Sequence, residues 1–161
     1  MANPLGKAKP GRNKSEFNNK HKTAIPTMID KIIREADIIL EVLDARFIEK
    51  TRNPELEKQV KKLGKTLIYV FNKSDLIDIK KTKAKMDFRE LNPSIFLSSK
   101  ERKNSFNLKT LIKIEAKKLK QETINIGVIG YPNSGKSSLI NLLTGRGAAS
   151  TSSEAGYTKG I

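Results

Sequence analysis

Cysteine is absent from the 161 residues, and histidine occurs once, at His21. Disulfides, thiolate metal sites, cysteine nucleophiles and histidine-centred triads are therefore excluded. Acid is scarce as well: 17 Asp and Glu stand against 32 Lys and Arg, a formal net charge of +15. Such a field attracts polyanions before any specific contact forms, which makes RNA or a ribosomal particle the natural partner class. The alternative is a lysine-rich composition spread evenly over a solvated surface. No apolar run approaches the ~18 residues of a membrane-spanning helix. The N-terminal stretch carrying Lys7, Lys9, Arg12 and Lys14 has no apolar core for a signal peptide. A soluble cytoplasmic protein with no membrane partner is expected.

With an apolar share of 37% and a charged share of 30%, the composition suits one globular domain bearing polar arms. Residues 1–23 hold six Lys and Arg against one acid, Glu16, and read as a mobile basic arm. Residues 24–161 read as the domain. Met28, Ile29, Ile32, Ile33 and Ala36 recur at helical spacing, and the run from Ile38 to Leu43 is short and almost continuously apolar, as a buried parallel strand would be. Leu56, Val60 and Leu63 mark the next helix, and Thr66 to Phe71 the next buried strand. A weakly patterned helix is expected around 82–91, a short strand at Ile95 to Leu97, a helix carrying Leu108, Leu111, Ile112 and Leu119, and a strand over 124–129. Residues 148–154 read as a loop. Strands alternating with helices imply an α/β fold with a mainly parallel sheet, helices on both faces and ligands at the carboxyl ends of the strands.

Three candidate motifs sit at such ends. Gly130-Tyr131-Pro132-Asn133-Ser134-Gly135-Lys136-Ser137 satisfies G-x-x-x-x-G-K-S between a strand and a helix bearing Leu139, Ile140 and Leu143. Glycines let backbone N–H groups turn inward around phosphates, so Asn133, Ser134, Gly135, Lys136, Ser137 and Ser138 form the candidate cradle. Within it Lys136 reaches the β and γ oxygens, and the Ser137 hydroxyl can ligate Mg²⁺. This loop alone does not separate ATP from GTP. Asn72-Lys73-Ser74-Asp75 can, because the Asp75 carboxylate can accept from the N1 and N2 donors of guanine, a pair adenine lacks. Asn72 would tether the loop and Lys73 would lay its stem along the base or ribose. Ser98-Ser99-Lys100, after the following strand, is either ordinary loop chemistry or a third element of the base site.

The guanine motif thus precedes the phosphate loop. That order resembles the circularly permuted GTPases of the YlqF type, which act in ribosome assembly. Ser98-Ser99-Lys100 resembles the S-A-K element of GTPases, and Asp44-Ala45-Arg46 with Arg52-Asn53-Pro54 resembles two further segments of the family. For Asp44 and Arg46 the residues themselves leave two readings open, a charged turn capping the strand or a role near the nucleotide. The resemblance implies a permuted P-loop G domain that binds GTP or GDP with Mg²⁺, hydrolyses GTP, meets ribosomal RNA or a ribosomal subunit, and is a monomer off the ribosome. It also implies that Thr158 ligates Mg²⁺ and acts with Lys136 on the γ-phosphate, with Thr151 and Ser152 as rivals for that role.

A complete G domain goes on to a strand and D-x-x-G, and no Asp of this chain opens that motif. The expectation is a fragment of a longer protein, with an incomplete sheet, an unpaired apolar edge on the strand before the phosphate loop, and GTP held poorly against GDP. Two rivals belong to other classes: an RNA-binding module whose pocket no longer turns over, and a P-loop ATPase or kinase.

Overall fold

A computed structural model describes residues 20–145 and 156–158. Five strands form one sheet in the order β3-β2-β1-β4-β5. Its centre is β1 (Ile38–Asp44), flanked by β2 (Thr66–Asn72) and β4 (Ile126–Gly130), all parallel. All seven residues of β1 are buried, because a central parallel strand is covered on both faces and needs apolar side chains in both directions. Outside β2 lies β3 (Ser94–Phe96), also parallel.

Two cores result, one on each face. The first gathers Ile32, Ile33 and Ala36 of α1 (Lys20–Glu35), Ile48 of α2 (Ile48–Thr51), Val60 of α3 (Pro54–Lys62), and Ile39, Leu43, Tyr69 and Phe71 of the sheet. The second joins Leu108 and Ile112 of α5 (Ser105–Leu119) and Leu139 of α6 (Lys136–Thr144) to Ile38, Leu40, Val42, Ile68, Val70 and Val128. The α/β architecture with helices on both faces follows from the near-continuous apolar strands.

Four details depart from expectation. Helix α1 already begins at Lys20, so the segment read as an arm over 1–23 is helical at its end; residues 1–19 lie outside the described residues, as does the loop expected at 148–154. Helix α4 spans Ile79–Lys85 rather than 82–91. Asp78 starts it early by accepting from the Lys81 amide at 3.1 Å. The chain then leaves the helix so that Phe88 can pack on Phe71 and Phe96, with ring centroids 5.3 and 5.8 Å away. Strand β4 begins two residues later than 124, since the Asn125 backbone is engaged by Asp37 instead. Finally, the outer edge of β4 is not bare. β5 (Gly156–Thr158) pairs with it antiparallel at Ile126, Gly127 and Val128, because an open apolar edge is a template for any strand that can reach it.

Candidate functional site

Register brings the motifs together. Asp44 pairs with Asn72 across β1 and β2, and Val42 pairs with Gly130 across β1 and β4, so three strands deliver their carboxyl ends to one place. Beyond Gly130 the phosphate loop curls tightly, with the Ser134 amide donating to the Tyr131 carbonyl at 3.3 Å. Asn133 and Gly135 take left-handed backbone at φ 63 and 101. Both glycines of the loop are dictated by contact. A Cβ on Gly130 would strike the Val42 carbonyl, and one on Gly135 would strike the Asn72 side-chain amide.

Helix α6 starts directly after Gly135, with no side-chain cap. Its first-turn N–H groups, at Lys136, Ser137 and Ser138, have no carbonyl one turn earlier to meet, so they and the helix dipole favour an anion there. Lys136 is 6% exposed, and its Nζ donates to the Tyr131 carbonyl at 2.8 Å, which folds the ammonium across the mouth of the loop. Burial pulls its pKa below the ordinary lysine value. Ser137 is half-buried and Ser138 exposed. Ser134 Oγ is buried with no hydrogen-bond partner.

Asn72 ties this loop to the guanine motif. Its Nδ2 donates to the Ser134 carbonyl at 2.9 Å, while its Oδ1 accepts from Ser99 N at 3.1 Å and Ser99 Oγ at 2.8 Å. One buried amide thereby fixes the phosphate loop, the base-reading loop and the Ser98-Ser99-Lys100 loop relative to one another. Lys73 adds a second tie: from a left-handed backbone (φ 62) its Nζ donates to the Asn133 carbonyl at 2.6 Å and to Asp44 Oδ2 at 2.9 Å. Asp75 accepts from Ser98 Oγ at 2.6 Å. That hydrogen bond holds its carboxyl below the usual carboxylate range, so it is ionised and ready to accept. Lys100 lies exposed beside this loop.

For Asp44 the structure shows the charged turn, tied in addition to the base loop. It closes the turn by accepting from the Arg46 amide and guanidinium at 2.8 to 3.0 Å, and it also grips the lysine of the base loop. The Arg46 guanidinium and then Lys73 hold its carboxyl well below the usual range. Sequence reasoning did not see the Asp44–Lys73 pair, since only register puts the ends of β1 and β2 side by side.

Arg52-Asn53-Pro54 works on the opposite face. Asn53 caps α3 by accepting from Leu56 N at 3.2 Å, and Pro54 takes the first helical position. Asn53 N donates to the buried Glu41 at 3.0 Å. Arg52 clasps Glu57 with two bonds of 2.9 and 2.8 Å, and Tyr69 Oη donates to Glu57 at 2.9 Å. This is a buried polar brace under the sheet, on the face that carries α3.

Thr158 is not brought to the site. It pairs with Ile126, at the start of β4, whereas the phosphate loop leaves the far end of that strand. Pairing with the open edge positions it there, a tertiary choice that its distance along the chain from Lys136 does not reveal.

Comparison with known proteins adds the family. Residues 125–161 match the 50S ribosome-binding GTPase family. The solved structure of GNP-bound YlqF from T. maritima superposes with a TM-score of 0.55 at 27% identity, over 76% of this chain and 48% of that one. The chain belongs to the circularly permuted GTPases. Within that family an uncharacterized GTP-binding protein of Methanocaldococcus jannaschii, MJ1464, is 48% identical over 141 residues, 86% of this chain and 37% of its own length. The nuclear GTP-binding protein NUG1 of Saccharomyces cerevisiae is 34% identical over 88% of this chain and 31% of its own. The chain therefore spans about a third of the length of these relatives. Relatives named as nuclear or nucleolar, NUG1 and the nuclear/nucleolar GTPase 2 of Oryza sativa, overturn the expectation of a cytoplasmic protein. That expectation rested on a missing signal peptide and the lack of a long apolar run, features that nuclear proteins share. Among the described residues no helix is long and apolar enough to cross a membrane.

Proposed function

We propose that the chain is the guanine-nucleotide-binding part of a ribosome-assembly GTPase, taking GTP or GDP with Mg²⁺ and meeting ribosomal RNA. The observation that carries the reading is the Asn72 amide, which locks the base-reading loop to the phosphate loop at 2.9 Å. A phosphate cradle and a guanine clip held at fixed separation form one nucleotide site.

In that site the amides of residues 133–138 cradle the phosphates, Lys136 moves its ammonium from the Tyr131 carbonyl onto the β and γ oxygens, and Asp75 accepts from guanine N1 and N2. The Ser99 region faces the base edge and Lys73 flanks the ring. Mg²⁺ fits the Ser137 hydroxyl, a neutral oxygen donor half-buried in the first turn of α6, which would hold the ion. Bound there, Mg²⁺ would supply positive charge to offset the negative charge on the phosphate oxygens. Hydrolysis by the whole protein is an in-line attack of water on the γ-phosphate, with Lys136 stabilising the leaving charge. The net charge of +15 supports RNA as partner, with Lys7, Lys9, Arg12 and Lys14 as basic residues ahead of α1. Displacing labelled GDP with unlabelled ATP tests the base assignment. ATP weaker by at least about a hundredfold is expected, and equal affinity would return the site to a P-loop ATPase.

A further inference from the structure

We infer that the outer face of α5 is an RNA-docking surface that stacks one unpaired base and tracks the phosphates beside it; this rests on the proposal that RNA is the partner and says where it binds. At 3.6 residues per turn, Phe106, Lys109, Lys113 and Lys117 fall on one stripe. Leu108, Ile112 and Glu115, which are buried, occupy the opposite side. The stripe is about 16 Å long, and its lysines are spaced so that 109 to 113 and 113 to 117 each advance about 6 Å, comparable to successive phosphates of a nucleic acid strand.

Three observations make this face more than a solvated one. Phe106 is 78% exposed, the most open of the large apolar side chains described, and an exposed ring at the end of a cationic stripe is what base stacking uses. Among the described residues Lys109, Lys113 and Lys117 form no ion pair. The one acid of α5, Glu115, points inward and is neutralised by Lys118 at 2.7 Å. A lipid surface fits poorly, because Leu108 and Ile112 are spent on the core and Phe106 and Ile114 are the only large apolar side chains that the described α5 leaves exposed, among several lysines.

The face is also mechanically joined to the nucleotide site. Only five residues separate Ser99, which holds Asn72, from Ser105 at the start of α5. Within them Arg102 and Asn104 are left-handed, and Asn104 Nδ2 donates to the Phe96 carbonyl at 2.9 Å. The connector is pinned to β3 rather than slack.

The test uses the full chain with a labelled single-stranded RNA of mixed sequence, titrated over a salt series. Lys109→Gln, Lys113→Gln and Lys117→Gln together should reduce the slope of log affinity against log salt by about 2, since each lysine neutralises one phosphate. Phe106→Ala should weaken binding on the order of tenfold at every salt concentration with the slope unchanged. Lys80→Gln, Lys81→Gln and Lys85→Gln on α4 remove the same charge and should change the slope by less than half as much. GDP affinity and circular dichroism certify that each variant is folded. Equal slope losses from the two triples, or no effect of Phe106→Ala, would overturn the α5 face while leaving RNA binding intact. An unmodified chain that binds no RNA, or binds phosphatidylserine vesicles instead, would overturn the RNA reading itself.

Discussion

Asn72→Asp changes one atom of the amide that joins the two loops, and its consequences can be worked out bond by bond. Oδ1 still accepts from Ser99 N and Oγ. The other position, now an oxygen, faces the Ser134 carbonyl across the former 2.9 Å hydrogen bond. At pH 8 the carboxylate cannot donate, so the buried carbonyl loses its partner at a cost of about 1–3 kcal/mol. Placing a charge where the side chain is 2% exposed adds to that. A total of about 2–4 kcal/mol is expected. Because the bond exists before any ligand arrives, the loss should appear first as reduced stability of the nucleotide-free chain in urea unfolding. GDP affinity should fall with it as the two halves of the site lose their fixed spacing. Burial raises the introduced carboxyl's pKa, and once protonated its O–H can donate to Ser134. At pH 5 part of the stability should therefore return. A loss below about 1 kcal/mol at pH 8, with no recovery at pH 5 and unchanged GDP binding, would refute the reasoning.

Glu41 lies in the central strand at 1% exposure with Oε2 unpaired, and burial pushes its pKa up to about 7. The unfolded chain ionises this group near 4.5, so between these two values the unfolded state holds fewer protons. Stability from this group therefore falls as pH rises through that window, by about 3 kcal/mol in all. Glu41→Gln should flatten the decline between pH 5 and 8, and parallel unfolding curves for the two proteins would contradict it. Gly135→Ala forces a methyl into the Asn72 amide at φ 101. Thermal melting should show a destabilisation on the order of 1–3 kcal/mol, with GDP binding lost in the same sample.

Much of the fold was readable because β1 and β2 are covered on both faces, so their apolar runs need no periodicity to be recognised. The phosphate loop was readable because its glycines answer close contacts, with the Val42 carbonyl and the Asn72 side-chain amide, that nothing larger survives. What escaped depends on tertiary partners. Glu41 is a carboxyl inside a buried strand, accommodated by its raised pKa and by Asn53, which donates to it from twelve residues later. Asp44 and Lys73 meet through strand register, which the chain does not display locally. The start of α4 was legible in Asp78, whose capping role went unread beside the lysine-rich pattern that follows. Thr158 went to a sheet edge, where backbone pairing outweighs the chemistry of a hydroxyl.

The central claim is that Asp75 reads guanine in a site whose halves are permuted in the chain, and a base swap tests it most directly. Guanine offers N–H groups at N1 and N2; xanthine carries a carbonyl at the second position, which a carboxylate repels and an amide can serve as donor. Titrating Asp75→Asn with GDP and with xanthosine diphosphate should show GDP affinity lowered by at least about a hundredfold and the xanthine nucleotide bound more tightly than by the unmodified chain. Unchanged GDP affinity in Asp75→Asn would contradict the claim.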